Sequence, residues 1–142
     1  MGSRSVNQTM RWVRVSQVEL AKVRELYEGV MSHACHGLFF REGAVLGSDL
    51  ADDAKKVPGQ YFPAVGNILR ERGWVEDIEF GDRTVTVKGS IEVGQSDIPT
   101  CHRLRGILRT VYERDRGTRV NCTEEDCASA GHTVCRFRIE EI

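Results

Sequence analysis

Two hydrophobic periods divide this chain. Up to about residue 73 apolar positions recur every three or four residues, from Trp74 they alternate, and the helical interval returns between Cys101 and Val111. Ser16 followed by Glu19 is a capping-box signature, and Val18, Leu20, Val23 and Leu26/Tyr27 predict a helix to about Met31. Ahead of it, residues 1–10 read as a disordered leader and Arg11 to Val15 as an edge strand. The run HACHGLFFREGAVLG predicts a short second helix whose Gly37, Gly43 and Gly47 allow close backbone packing or a bend. Asp49 to Gly59 is polar and reads as a loop or frayed helix. Tyr61, Phe62, Val65, Ile68 and Leu69 predict a third helix, closed by Gly73.

The alternating part predicts a hairpin. Trp74, Ile78 and Phe80 lie before a tight turn at Gly81-Asp82, and Val85, Val87, Ile91 and Val93 after it. Ser96 or Asp97 then caps a helix with Pro99 in its first turn and Cys101, Leu104, Ile107/Leu108 and Val111 as its buried stripe, ended by Gly117. Thr118 to about Glu124 and Thr133 to Ile139 form the last two strands. The expected fold class is α+β: an antiparallel sheet of about four strands, in two hairpins, covered by helices on one side. Residues 11–142 are expected to make a single domain.

Composition changes this picture in one respect. At 142 residues, 40% hydrophobic and 29% charged, the chain is ordinarily globular. A net charge of −1 gives no argument for nucleic acid or a membrane surface. No apolar run approaches the roughly 18 residues of a membrane span, and the N-terminus lacks the apolar centre of a secretory signal. The expected location is the cytoplasm, where thiols stay reduced. Five cysteines, an odd number at short spacing, then favour metal binding or redox chemistry over a disulfide frame.

Four of the five lie between Cys101 and Phe137. Cys127 and Cys135 flank ASAGHTV, which can fold back and aim both sulfurs at one point. Cys101 opens a helix that packs on the same sheet, and a helix N-terminus favours the thiolate. Three thiolates suit a tetrahedral zinc ion that takes one more ligand. Glu124, Cys122, His132 and His102 compete for that place, and spacing does not choose among them. The alternative is that these thiols are small buried hydrophobes.

The same stretch resembles the C-terminal half of the 4-vinyl reductase (4VR) domain family, also described as predicted hydrocarbon-binding proteins. The matching elements are Cys101-His102, Gly106, Glu124-Glu125-Asp126-Cys127, Gly131 and Cys135-Arg136-Phe137, over roughly the last 45 residues. The resemblance implies the fold of the vesicle-tethering TRAPP subunits and haem nitric-oxide-binding sensors, and a homodimer. In sensory versions it implies zinc held at the positions of Cys101, Glu124, Cys127 and Cys135, so that Glu124 is selected over Cys122. Other relatives serve bacteriochlorophyll synthesis, and some use their cysteines as a redox sensor.

With four protein ligands such a zinc is structural, since no position is left for an activated water. A ligand pocket would lie between helices and sheet, near Phe39, Phe40, Phe62, Trp74 and Phe80, with His33 and His36 as polar anchors. Catalysis has little support, because the chain carries no dinucleotide fingerprint, phosphate loop or nucleophile elbow. The expected function is a sensor or carrier for a hydrophobic or aromatic small molecule, acting through dimerisation or a protein partner. A TRAPP-like interaction module without ligand is the alternative, ahead of a tetrapyrrole reductase or accessory protein.

Overall fold

In the computed structural model residues 10–142 are described; the expected leader, Met10 apart, lies outside the described residues. Helix α1 (Gln17–Met31) begins as its capping box dictates: Ser16 Oγ accepts from the Glu19 amide and Glu19 accepts from the Ser16 amide. The expected edge strand before it does not form. Residues 11–15 have no regular structure, and Trp12 lies against the Arg72 guanidinium instead.

A single 3₁₀ turn (Ser32–Ala34) leads into α2 (Cys35–Ala54). This helix is 20 residues long, so the expected short helix runs on through Ala54 into the stretch read as a loop or frayed helix, and the rest of that stretch, to Gly59, is non-helical. Leu50, Ala51 and Ala54 are buried in its last turns, and that burial carries the helix into the polar stretch. Next come α3 (Tyr61–Glu71), β1 (Asp77–Phe80), β2 (Thr84–Lys88), α4 (His102–Arg116), β3 (Val120–Asp126) and β4 (Cys135–Glu141). The four strands form one antiparallel sheet in the order β1-β2-β4-β3. Its inner face, with Val85, Val87, Cys122, Phe137 and Ile139, packs under α4, whose Leu104, Ile107, Leu108 and Val111 are buried. The architecture is the α+β arrangement read from the pattern.

Two boundaries differ from expectation. Strand β2 stops at Lys88, because Gly89 turns the chain at φ +67. Helix α4 starts at His102 with Cys101 as N-cap, not at Ser96 or Asp97. The segment 89–101 between them is irregular, yet Ser90, Glu92 and Thr100 are buried in it. A third difference concerns α1. Its predicted stripe is mostly not core: Val18 is 63%, Leu26 61% and Tyr27 45% exposed, Leu20 and Val23 are partly buried, and the helix's one buried residue is Arg24.

Helices α2 and α4 cross almost backbone to backbone. A Cβ on Gly43 would lie 1.9 Å from the Arg103 carbonyl oxygen, and one on Gly106 would lie 2.1 Å from that of Phe40. Neither neighbour is a side chain that can swing away. Gly43→Ala and Gly106→Ala are therefore expected to cost at least the upper end of the roughly 1–3 kcal/mol typical of overpacking. Gly37, with nothing within 4 Å of its would-be Cβ, is the control. Gly37→Ala should be neutral or stabilising by up to about 1 kcal/mol, from helix propensity. Denaturant unfolding of the three variants checks the contrast.

Candidate metal centre

Cys101, Glu124, Cys127 and Cys135 meet at the N-terminus of α4, with one potential ligand atom from each all within 4.8 Å of one another. Three separate pieces of local structure produce this. Cys101 is fixed by being the α4 N-cap. Cys135 opens β4, paired with Val87 of β2. Glu124 and Cys127 are an odd number of residues apart and would face opposite sides of a regular strand. The register shift between Glu124 and Asp126 inserts an extra residue, so both side chains turn to the same spot. The turn Ala128–Ala130 and Gly131, at φ +96, then bring the chain back for β4.

The geometry suits a tetrahedral ion. The Cys101–Cys135 sulfurs are 3.8 Å apart and the Cys135–Cys127 sulfurs 3.9 Å. Metal–sulfur bonds of about 2.3 Å at tetrahedral angles would place two sulfurs about 3.8 Å apart. Glu124 Oε1 accepts from the Cys101 amide at 3.1 Å, while its buried Oε2 has no hydrogen-bond partner. A buried carboxylate oxygen without a partner is costly unless something else meets it. Cys122 is outside this group, as are His102 and His132.

Without a cation the four groups settle their protons among themselves. Hydrogen bonds from the Cys101 and Cys135 thiols draw the Cys127 thiol well below its ordinary value. Cys101 is held well above its own by its hydrogen bonds with Cys127 and Cys135 and by burial. The helix N-terminus was expected to make Cys101 the thiolate; the hydrogen-bonded cluster gives that role to Cys127. Cys135 is pushed up to about 12: the bond from Cys101 lowers it, but donation to Cys127 and burial outweigh that. Glu124 rises to about 8, through burial and then the Cys127 charge. A divalent ion bound there would hold all four groups in their charged forms.

A ring of polar groups surrounds the sulfurs. Ser90 Oγ lies 3.2 Å from Cys101 Sγ, the Ala128 amide donates to Cys135 Sγ at 3.4 Å, and Thr100 Oγ1 is 3.8 Å from Cys127 Sγ. Glu92, buried beside them, accepts from the Arg103 and Leu104 amides and so caps α4 from a distance. Sequence reading missed Ser90, Glu92 and Thr100, since their stretch matched a continued strand and a helix cap.

The seven residues expected to line a pocket fall into separate places. Phe62 and Phe80 pack together with ring centroids 5.1 Å apart, and Phe62 is equally close to Tyr112, which sequence reading did not single out. Trp74 is partly buried against the same core. His36 stacks between His33 and His102, at 4.9 and 4.0 Å, and its Nε2 is 2.6 Å from Glu28. Burial drives His102 down to about 3, so it is neutral. Phe40 lies under the Arg105 guanidinium. His102 and Tyr112 are ten residues apart on α4, about 15 Å at its rise per residue, so the histidines and the Phe62–Phe80 pair occupy opposite ends. A cavity of about 10 Å³ lined by Arg24, Phe39, Glu92, Thr100 and Arg103 has room for about one water.

No curated protein sequence matches the chain. Residues 84–141 match the V4R domain, so the resemblance drawn from the cysteine stretch is borne out there. Among solved structures, the phenol-responsive sensory domain of the transcription activator PoxR, crystallised with phenol, superposes with a TM-score of 0.75 at 18% identity. The match covers 93% of this chain and 77% of that one. A vinyl-4-reductase family protein from Methanocaldococcus jannaschii superposes with a TM-score of 0.64 at 16% identity, covering 85% of this chain and 80% of that one. At such identities the likeness establishes the shared fold. No helix among the described residues is long and apolar enough to cross a membrane.

The proton inventory has a measurable consequence. Near neutral pH Cys101, Cys135 and Glu124 hold protons that a coordinated ion must displace, whereas Cys127 does not. Metal affinity should therefore rise with pH through the neutral range, with up to about three protons released per ion bound. Calorimetry in buffers of different ionisation enthalpy measures that number.

Proposed function

Taking the V4R domain as premise, we propose that residues 11–142 form one small-molecule-responsive domain of the cytoplasm, built around a structural zinc ion. Zinc would be held by Cys101, Glu124, Cys127 and Cys135. The observation that carries this assignment is their convergence at tetrahedral sulfur spacing beside an unsatisfied carboxylate oxygen. A thiolate-rich set of four favours zinc over harder ions. With every position taken by protein, the ion supplies no chemistry to a substrate and pins the front of α4 to β3 and β4.

The ligand proposed is hydrophobic or aromatic. Support comes from the likeness to a phenol-responsive domain and from the aromatic lining offered by Phe62, Phe80 and Trp74. Because Phe62, Phe80 and Tyr112 pack directly on one another, a ligand there must part these rings. Phe40, His33 and His36 would act from the other end of α4, where His36 and Glu28 already form a partly buried pair. Output is proposed to pass through a homodimer, with a further protein partner reading it. Val18, Leu26 and Val30 of α1 and Leu38 and Val45 of α2 are all more than half exposed, an apolar surface that a second copy would cover. That surface also favours a second reading, an interaction module without ligand.

Two measurements separate these. Native mass spectrometry should find one zinc per chain in the wild type and in Cys122→Ala, and none in Cys127→Ala, which should also lose about 2–5 kcal/mol of stability, as for a core truncation with loss of a structural metal. Thermal shift with phenol and a panel of aromatic hydrocarbons should give a saturable rise in Tm. A zinc-loaded dimer indifferent to every compound would replace the sensor with the interaction module.

A further inference from the structure

We infer that Ser90 is a positioning residue of the metal centre, its hydroxyl donating to the Cys101 sulfur once that sulfur is a thiolate. The inference rests on the zinc reading above. Cys101 differs from the other three candidate ligands in where it comes from. Glu124, Cys127 and Cys135 belong to one hairpin, whereas Cys101 arrives on α4. Something must hold that sulfur toward the hairpin, and the residue in contact is Ser90, only 2% exposed and 3.2 Å away.

The hydrogen bonds around Ser90 show why it suits this task. Its oxygen accepts from the Glu92 amide at 3.2 Å and from the Cys101 thiol. With both contacts accepted, the hydroxyl's own proton remains to be given. When the sulfur surrenders its proton to become a ligand, the contact reverses: the hydroxyl donates and the thiolate accepts. The Glu92 amide holds the oxygen in place throughout. Glu92 in turn accepts from the Arg103 and Leu104 amides, so Ser90 and the first turn of α4 share one support. The Ala128 amide on Cys135 and the Cys101 amide on Glu124 do the same for two other ligands. Partners of this kind orient metal ligands, and losing one costs about 10–100-fold in affinity.

The test is Ser90→Ala, read by chelator competition for zinc and by the sulfur-to-metal charge-transfer band of the cobalt(II) form. Zinc affinity should fall about 10–100-fold at unchanged stoichiometry. The band should move to lower energy, because a thiolate without its hydrogen bond gives up electrons more readily. Ser90→Thr, which keeps the hydroxyl, should restore the band. A purely structural Ser90 would lower stability yet leave affinity within about twofold of wild type and the band unmoved, which overturns the inference. In the cadmium-loaded wild type, the Ser90 hydroxyl proton should exchange slowly and couple to the ion; rapid exchange overturns it too, independently of how the variants fold. A wild type that binds no metal removes the zinc reading itself, and this inference with it.

Discussion

The approach of α2 to α4 sets the position of everything else. Three glycines let the helices touch through their backbones. Gly43 faces the carbonyl of Arg103, Gly106 faces that of Phe40, and Gly47 lies against Ile107. Such contact leaves little freedom of rotation or slide, because each helix presents peptide groups instead of adaptable side chains. The first turn of α4 is thereby held in one register relative to α2, and Cys101 stands at the head of that turn. The same crossing brings His36 onto His102 and Phe40 under Arg105. A bulkier crossing would carry Cys101 away from the hairpin that holds the other three candidate ligands.

Charge is the second constraint. Three thiolates and a carboxylate around a divalent ion leave an excess of two negative charges in a buried place. Part of the offset is built in. The α4 N-terminus contributes roughly half a positive charge, and Arg105, on the next turn, feels both Glu124 and Cys122. Without an ion, burial and the hydrogen bonds among the thiols raise Cys101, Cys135 and Glu124, which limits that excess. Glu92 complicates this economy: its carboxyl sits at the same helix end and burial raises it to about 7. Its two amide donors and Arg103 offset that desolvation in part, which is why a carboxyl can lie so close to the thiols.

Much of this was legible in the residue pattern, for identifiable reasons. The change of period at Trp74 and its return at Cys101 marked the hairpins and α4, because each sheet or helix face buries one side only. The cysteine cluster was legible because its members lie close in sequence or on a strongly periodic helix. The choice of Glu124 over Cys122 came from the family resemblance and not from hydrophobic pattern or spacing. It depends on the extra residue between Glu124 and Asp126, and a strand bulge leaves no mark in hydrophobic alternation. Segment 89–101 was misread because Ile91 and Val93 continue the alternation of β2, while Gly89 breaks the strand through its φ alone. The exposed stripe of α1 was invisible for a different reason: periodicity reports that a face is apolar, not what covers it.

That stripe also shows how the two ends of the molecule are joined. Helix α1 contributes little apolar packing to the body, and named polar contacts hold it. Gln17 donates to the Val93 carbonyl, Arg24 to that of Gln95, and Glu28 pairs with His36. Val93 and Gln95 belong to the same irregular segment whose Ser90 touches Cys101 and whose Thr100 bonds Ser129 beside Cys127. The Gly94 amide donates to Ser129 as well. One stretch of about a dozen residues is thus fastened to the thiol cluster on one side and to α1 on the other. It has no secondary structure of its own, so its shape is set by those fastenings. Each net hydrogen bond is worth only about 0.5–1.5 kcal/mol, which makes the attachment of α1 weak beside the glycine-packed contact of α2 with α4.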